Sequence, residues 1–573
     1  MKLLSNYRQK PIGFPDLVNY AALVDEGLVL CKNGSFLAGY YFKGEDLAVA
    51  TDQKLNLVSR RINNTFARLG NGVTTWVEAA RLPAPGYSEP SESHFPDPLS
   101  RHLDDVRRER FLEDDRYFET IQILVISYMP PTEKSERVKG FLFGVEEGKA
   151  NHQDGLADKH LAEFGKILAR LEDGLSDVLS LQRMSSYSMT DVLDREHVQD
   201  DLVNYLNFAI TGRKDPVTLP PSGMYLDAIV GAHEIRNSPD ELRVGDQFVE
   251  VVSLDGYPDR SWPGILHGLN NMAVSYRAVF RFVHLDQPRA LSELKSVQRR
   301  WVGGRRSFVD QLVNNQKASI NRDAALMASE AETAVYNETS GLMSHGFATP
   351  VIVLMDRDKA RVKEHARWVA TQIQRVGFNA RVEGVGRMDA WLGSLPGHVE
   401  QNLRRPLTSS INWADMLPVT AIWPGEARNP CAFYPPNSPP LFYAATDGAT
   451  PFRGNLHWTD IGHTLAVGPT GAGKSVLLAF LASQMRRYKN ARVVAFDKGG
   501  SMMALCLGVG GTFYNLEPGE RRSPKFCPLQ RLNEPGEMAW AQGWMMRCFE
   551  LQTNRPMTPA EREIILAQLK LTA

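Results

Sequence analysis

The sequence feature that most constrains this chain is a glycine-rich stretch in its C-terminal part, LAVGPTGAGKSVLLAF at residues 465–480. Within it, Gly468–Ser475 matches the phosphate-loop pattern G-x-x-x-x-G-K-[ST] at every fixed position. The residues HTLAV at 463–467 predict a β-strand before the loop, and residues 474–489 predict a helix after it. This order of strand, loop and helix disfavours a chance match and indicates a site for a nucleoside triphosphate.

The residue types of this loop explain how it could hold phosphate. Its glycines let the main chain curl so that successive N–H groups face a phosphate, and the following helix adds the positive end of its dipole. Lys474 is predicted to reach the β- and γ-phosphates as the catalytic residue, and the Ser475 hydroxyl is predicted to bind Mg²⁺. The predicted ATP-binding residues are Gly468, Pro469, Thr470, Gly471, Ala472, Gly473, Lys474 and Ser475.

Two further features follow the loop. Arg486, Arg487 and Lys489 lie at the predicted end of the helix, where cations stabilise the negative end of the helix dipole. The next run, RVVAFDKGGS at 492–501, predicts a strand that ends in Asp497. Asp497 fits the Mg²⁺-binding position of a Walker B strand, but the strand directly after a phosphate-loop helix usually lies elsewhere in the sheet. A structural or inter-subunit role for Asp497 is therefore the preferred interpretation.

The chain has 573 residues, too many for one hydrophobic core, and so predicts several domains. A β-hairpin is predicted around Asn33-Gly34, and PVIVLM at 350–355 predicts a buried strand. Apolar residues spaced from 362 to 376 predict one face of a helix that Gly377 ends. The predicted division is an N-terminal α+β domain at 1–180, a middle α+β domain at 181–402, a linker rich in Pro, Asn and Gly at 403–455, and an incomplete α/β phosphate-loop domain at 456–573.

Composition narrows the class of protein. Lys and Arg total 65 against 66 Asp and Glu, and the net charge of −1 argues against a general nucleic-acid binder. The arginine-rich residues 298–308 are compatible with a local nucleic-acid contact, although a solvated helix end is the preferred interpretation. The N-terminus lacks an apolar signal core, and the apolar runs are shorter than the ~20 residues that span a bilayer. The five cysteines show neither a zinc-binding nor a disulfide pattern. Together these features predict a cytosolic chain without a transmembrane segment.

Several motifs, taken in order along the chain, resemble those of one family. They are GLVLCKNGSFLAGYYF at 27–42, MDAWLGSLPGH at 388–398, GPTGAGKS at 468–475, FDKGGS at 496–501 and FCPLQ at 526–530. Together they are similar to the TrbE-type conjugative-transfer ATPases of type IV secretion systems, the CagE/TrbE/VirB family. The phosphate loop alone is generic, whereas the ordered set is much more specific, and the resemblance covers nearly the whole chain.

The resemblance implies an N-terminal α+β domain that docks, followed by a RecA/FtsK-like lobe that binds ATP and Mg²⁺. It implies a homo-oligomer, a hexamer at full length, in the cytoplasm and held peripherally at the inner membrane by other type IV secretion subunits. The implied role is to energise pilus assembly and the export of DNA or protein, with direct DNA contact left open. Family members continue with a Walker B strand that carries an Asp-Glu pair, so the resemblance implies a C-terminally truncated lobe.

Two functions from different classes stay open at this point. The first is a motor ATPase, whose turnover in this chain is expected to be feeble because no general base is identifiable. The second is a non-catalytic assembly subunit, whose N-terminal part docks on secretion partners without ATP turnover. An unrelated phosphate-loop enzyme, such as a kinase, is disfavoured because no acceptor-site signature is present and the long upstream part would be unexplained.

Overall fold

The structure is a computed structural model. It describes residues 13–573 apart from 48–49, 85–86, 114–116, 132–149, 191–193, 220–224, 259, 304–321, 403, 447 and 517–522. The chain forms two compact units, and each is described by itself. Unit 1 consists of Met1–Ser93 and Val106–Thr464, and unit 2 consists of His94–Asp105 and Leu465–Ala573.

Antiparallel strands form the framework of unit 1. The strands are β1 (Tyr20–Asp25), β2 (Leu28–Cys31), β3 (Phe36–Gly44), β4 (Val73–Pro83), β5 (Phe118–Tyr128), β6 (Leu179–Arg183), β7 (Ser186–Thr190), β8 (Glu196–Asp200), β9 (Ile235–Ser238), β10 (Glu241–Val244), β11 (Gln247–Gly256), β12 (Tyr276–His284), β13 (His345–Asp356), β14 (Asn379–Val382), β15 (Leu407–Ser409), β16 (Phe442–Ala444) and β17 (Phe452–Gly454).

Thirteen of these strands, as far as the described residues go, belong to one sheet. Its main path follows the order β1-β2-β3-β5-β4-β12-β13-β11-β10-β9, while β6, β14 and β15 pair with β3, β11 and β13. The pairs β7–β8 and β16–β17 form two separate small sheets. Strands far apart in sequence are therefore neighbours, as where β4 pairs with β12 over eight residue pairs.

Helices connect the strands and continue into unit 2. The α-helices are α1 (Phe14–Leu17), α2 (Asp52–Phe66), α3 (Pro98–Glu113), α4 (Ala150–Leu175), α5 (Asp201–Thr211), α6 (Gln287–Gly303), α7 (Arg322–Thr339), α8 (Lys359–Arg375), α9 (Arg387–Ser394), α10 (Ser410–Met416), α11 (Lys474–Met485), α12 (Met503–Gly508), α13 (Glu537–Thr553) and α14 (Pro559–Thr572). Short 3₁₀ turns lie at Pro90–Glu92, Leu226–Ala228 and His267–Asn271.

The large sheet of unit 1 is covered by helices on both faces. Side chains alternate between the two faces of a strand, so Phe280 and Phe282 of β12 point into one core and Val279 points into the other. Buried residues of α2, α4, α8 and α10 lie in the first core. Those of α5 and α9 lie in the second. The predicted α+β class of the N-terminal part is therefore confirmed.

Local sequence patterns predicted several elements of unit 1. Strands β2 and β3 form the predicted hairpin, with Gly34 at a φ of +86° in its turn. The apolar residues from Val362 to Ile373 are buried along one side of α8, and Gly377 follows the helix with a φ of +98°. Strands β13 and β14 both pair with β11, so they form a β-α-β unit with α8 between them.

Residues 403–455, predicted as a linker, instead contribute to the core of unit 1. They contain β15, α10, β16 and β17, and Trp413 and Leu417 are buried. The ring of Trp413 lies 4.8 Å from the rings of both Phe66 and Phe282. The proline and asparagine residues in this range occupy turns between short elements. Such a composition indicates an irregular main chain, but it does not indicate that the segment is exposed to solvent.

The boundary predicted between residues 180 and 181 lies inside the large sheet. Strand β4, before this boundary, pairs with β12, after it. Apart from the linker at 403–455, the division of the chain into domains stays a prediction, which limited proteolysis would test.

The arginine-rich stretch at 298–308 is the candidate for contact with DNA. The arginine-rich residues 298–308 overlap the end of α6, which runs to Gly303. Residues 304–308 lie outside the described residues, so DNA contact stays a prediction.

Throughout the described part of the chain, no helix is both long and apolar enough to cross a bilayer.

Unit 2 is helical in the residues that the structure describes. It contains α11, α12, α13, α14 and the first part of α3. Leu532, Ala541 and Leu569 form its small apolar core. A capping box begins α14, in which the Thr558 hydroxyl accepts a hydrogen bond from the Glu561 main chain.

The two strands predicted beside the phosphate loop do not form. No strand is assigned within the described residues from 462 to 573. Their apolar side chains lie in solvent, since Leu465, Val467, Val494 and Phe496 are 79–97% exposed. A strand requires main-chain hydrogen bonds to a neighbour, and an apolar sequence does not supply that neighbour. The strand predictions for 463–467 and 492–497 are therefore wrong, and a RecA/FtsK-like lobe is not established by the fold.

His284 gives unit 1 a testable pH dependence. It lies between the rings of Phe66 and Phe282, and burial lowers its pKa to about 3. Below about pH 6.5 the unfolded chain binds a proton that the folded chain does not. The free energy of unfolding should therefore fall as the pH drops from about 6.5 towards 3, by up to about 1.4 kcal/mol per pH unit from this group. We expect His284→Phe to reduce that slope in urea unfolding curves.

The matched control is His233→Asn, at an exposed histidine of the same unit, which should leave the slope unchanged. An unchanged slope in His284→Phe would contradict the assignment.

Candidate nucleotide-binding site

The glycine-rich loop leads into α11 through a left-handed turn. Gly471 and Gly473 both have a φ of +85°, a main-chain conformation that residues with a Cβ disfavour. Gly473 is the N-cap of α11. A Cβ added at either glycine would meet no described atom within 4 Å. Glycine is therefore required by the main-chain conformation and not by crowding.

Lys474 folds back over the loop that precedes it. Its Nζ donates hydrogen bonds to the main-chain oxygens of Gly468 and Pro469, each at 2.7 Å. Ser475, an exposed residue, follows in the first turn of α11, where main-chain N–H groups have no partner within the helix. The helix predicted after the loop is thus confirmed.

The residues present fit a triphosphate with its metal ion. The first turn offers N–H donors at the positive end of a helix dipole, which is a favourable setting for phosphate. The Lys474 ammonium contacts neutral carbonyl oxygens and can exchange them for a phosphate, with which its hydrogen bonds are stronger. The exposed hydroxyl of Ser475 is a hard oxygen ligand of the kind that Mg²⁺ prefers.

Asp497, the candidate metal ligand from the second predicted strand, is engaged in a local turn. Its Oδ1 accepts a hydrogen bond from the Ser501 hydroxyl at 3.0 Å, and its Oδ2 accepts one from the Met502 main chain at 2.8 Å. Gly499 and Gly500, with φ of +107° and +72°, let the main chain turn between them. This geometry favours the structural interpretation of Asp497, and its role as a metal ligand stays a prediction.

Within the described residues, no cluster of three or more His, Cys, Asp or Glu side chains could hold a metal ion.

Arg486 and Arg487, at the end of α11, do more than stabilise the helix dipole. Arg487 is 1% exposed and donates a hydrogen bond to Asp104, which is 0% exposed, at 2.5 Å. Arg486 donates to Asp97, also at 2.5 Å. Burial would raise the pKa of Asp97, but hydrogen bonds from the Ser100 main chain and from Arg486 bring it below its usual value. Both acidic partners belong to the segment His94–Asp105 of unit 2.

No sequence pattern indicated these four residues as a group. Each ion pair joins side chains more than 380 positions apart in sequence. A charged residue at a helix end is ordinarily solvated. Only the burial of Arg487 in the structure distinguishes its ion pair from an ordinary surface pair. Covariation between positions 104 and 487 is the signal that could have found it.

The SLPGH motif of the sequence lies in unit 1, at the end of α9. Its main chain is held by Arg281 of β12, whose Nη1 donates to the oxygen of His398 at 2.9 Å and to that of Gln401 at 2.8 Å. Nη2 of Arg281 donates to the Thr349 hydroxyl at 3.1 Å. Burial, together with the nearby Arg405, lowers the pKa of Arg281 to about 9. The motif is therefore a buried structural feature of unit 1.

Comparison with known sequences identifies the family. Residues 27–136 match the N-terminal domain of the type IV secretion system ATPase VirB4/TrbE. Residues 191–404 match the CagE, TrbE, VirB family, a component of type IV transporter systems.

Individual relatives agree with this assignment. The conjugal transfer protein TrbE of Rhizobium radiobacter is 40% identical over 579 residues, which cover 100% of this chain and 70% of that protein. The type IV secretion system protein virB4 of Bartonella quintana is 22% identical, over 96% of this chain and 66% of that protein. Protein virB4 of Agrobacterium fabrum is also 22% identical, over 95% and 65%. The chain therefore belongs to the CagE/TrbE/VirB family of TrbE-type type IV secretion ATPases.

The left-handed turn at Gly473 can be tested with one pair of identical changes. Gly473→Ala forces a side chain into a positive φ and should lower the free energy of unfolding of unit 2 by about 1 kcal/mol. Gly543→Ala replaces a glycine inside α13 that has open space around it, and should raise that free energy by about 0.5–1 kcal/mol. Thermal unfolding of both variants would measure the difference. Equal shifts of the same sign would contradict the assigned conformation of the loop.

Proposed function

We propose that this chain is the ATP-binding component of a type IV secretion system that serves conjugal transfer. The observation that carries the proposal is the phosphate loop at Gly468–Ser475, which begins α11 in a chain that is 40% identical to a TrbE protein along its whole length. Residues 456–573 would then form part of a RecA/FtsK-like lobe. ATP hydrolysis would energise pilus assembly and the export of DNA or protein.

Each residue of the loop has a distinct task in this proposal. The main-chain N–H groups from Gly471 to Ser475 would hold the phosphates, because they lie at the positive end of α11. Lys474 would leave the carbonyl oxygens of the loop and pair with the β- and γ-phosphates. Ser475 would bind Mg²⁺, which neutralises phosphate charge when bound. Asp497 is a weaker candidate for the metal, since both of its carboxylate oxygens already accept hydrogen bonds.

The family also suggests where the chain works. We place it in the cytoplasm, held peripherally at the inner membrane by other type IV secretion subunits. The working form would be a homo-oligomer, a hexamer for a full-length subunit. Direct contact with DNA is compatible with the arginine-rich residues 298–308 but rests on sequence alone.

A second candidate function is a docking subunit that binds secretion partners without ATP turnover. Two observations favour it. Both family matches, 27–136 and 191–404, lie largely in unit 1, and neither range includes the phosphate loop. In addition, the carboxylate of Asp497 is engaged in its own turn. Complementation of conjugation separates the two functions.

Nucleotide binding is the first prediction of this proposal. We expect the purified chain to bind a fluorescent ATP analogue in the presence of Mg²⁺, and Lys474→Ala to weaken binding by about tenfold or more, because a charge-assisted contact to phosphate is lost. Lys489→Ala, at an exposed lysine beyond the same helix, is the control and should bind as the wild type does. Equal affinity of the wild type and Lys474→Ala for the ATP analogue would contradict the proposed site.

Hydrolysis and transfer form the second prediction. We expect steady-state ATP turnover by the purified chain to be slow, because no general base is identifiable among the described residues. In a conjugation assay, Lys474→Ala in the encoding gene should abolish DNA transfer if the subunit is a motor. Normal transfer by Lys474→Ala would favour the docking function, and fast turnover by the isolated chain would contradict the first expectation.

A further inference from the structure

Burial along α11 increases from its N-terminus to its C-terminus. Gly473 and Ser475, at the loop end, are exposed, whereas Ser483 and Gln484, in the last turn, are buried. Arg487, just beyond the helix, is buried as well. The contacts that hold this helix in place are therefore concentrated at the end that does not face phosphate.

The segment His94–Asp105, here called the strap, supplies those contacts within unit 2. Its main chain contacts the residues just beyond α11, where the His94 N–H donates to the oxygen of Arg487 at 2.7 Å. Its side chains contribute the ion pairs of Asp97 and Asp104 with the two arginines. The ring of Phe95 lies 5.4 Å from the guanidinium of Arg487, a cation–π distance.

The strap packs against the end of α11 through buried contacts and does not merely lie on its surface. The ion pair of Asp104 and Arg487 is fully buried, and removing one partner would leave the other without its counter-charge in the interior of the unit. Leu99 of the strap also lies against α12, since a Cβ at Gly508 would come within 2.5 Å of its side chain. The main chain at Phe95 has a φ of +31°, an unusual value for a residue with a side chain. Strap and helix end are thus mutually dependent.

We propose that the strap is a positioning element of the nucleotide site, which sets the direction of α11 and thereby the place of the phosphate loop. A helix of 12 residues is a rod about 18 Å long. A tilt of about 10° at the held end would move the loop by about 3 Å, more than the misplacement that a binding geometry tolerates. Asp104 and Arg487 would therefore influence nucleotide affinity without touching nucleotide. This inference rests on the proposed ATP binding at Gly468–Ser475.

The test measures the affinity of the folded full chain for a fluorescent ATP analogue with Mg²⁺. Asp104→Asn and Arg487→Met each remove one charge of the buried pair, and each should weaken binding by about tenfold. The double variant with Asp104→Leu and Arg487→Met removes both charges together and should restore affinity to within about threefold of wild type. Arg555→Gln breaks an exposed ion pair elsewhere in unit 2 and serves as the matched control, with unchanged affinity expected.

A merely structural role would give a different pattern. The single variants would then unfold at lower temperature but bind nucleotide with wild-type affinity below that temperature, and this result would overturn the inference. If the wild type binds no nucleotide, or binds it as Lys474→Ala does, the proposed function fails and the inference fails with it. If the wild type binds nucleotide tightly, the proposed function holds, and the affinity of the single variants then decides the inference.

Hydrogen exchange on the wild-type chain tests the inference without any variant. Mg²⁺-ATP should slow amide exchange in the loop and also in the strap, with the His94 amide as the most direct reporter because it bonds to Arg487. Slower exchange in residues 468–477 with no change in residues 94–105 would overturn the positioning role. This measurement decides the question even if the single variants do not fold.

Discussion

The buried ion pair between Glu78 of β4 and Arg277 of β12 is the interaction on which the sheet of unit 1 depends. Both side chains are almost completely buried, and their closest charged atoms are 2.6 Å apart. Burial alone would lower the pKa of Arg277, but the Glu78 carboxylate raises it above its usual value. Tyr205 of α5 donates to the same carboxylate at 2.8 Å. Because a buried charge is costly without its partner, this network fixes the register of β4 and β12 and the position of α5.

That register explains how the two family-matched regions share one sheet. Strand β4 lies in the first matched region, 27–136, and β12 lies in the second, 191–404. Their pairing merges the two regions into one sheet. Four residues beyond Arg277 along β12, and on the same face, Arg281 holds the main chain of the SLPGH motif. One strand thus carries both the ion pair that joins the regions and the arginine that orders the motif.

The sequence predicted features that depend on near neighbours and failed on features that depend on distant ones. The glycine-rich turn before Lys474, the hairpin at Gly34 and the buried face of α8 follow from local main-chain preference or from periodicity, and all three are present. The strand predicted at 463–467 requires a pairing partner, which no local pattern can supply. Burial of Arg487 depends on Asp104, which is 383 positions away. Charge alone could not distinguish it from a solvated helix end.

The phosphate loop illustrates the difference between a sequence signature and a binding site. The signature is short because the left-handed turns at Gly471 and Gly473 and one lysine are enough to shape the main chain. Affinity also requires that the loop be held before the ligand arrives, since ordering it afterwards subtracts from the binding free energy. The exposed residues that precede the loop offer little packing to hold it, whereas the C-terminal end of α11 is buried. The order of the loop therefore depends on residues that no motif marks. If the loop binds nucleotide as proposed, the burial of Arg487 should bear on affinity as the presence of Lys474 does.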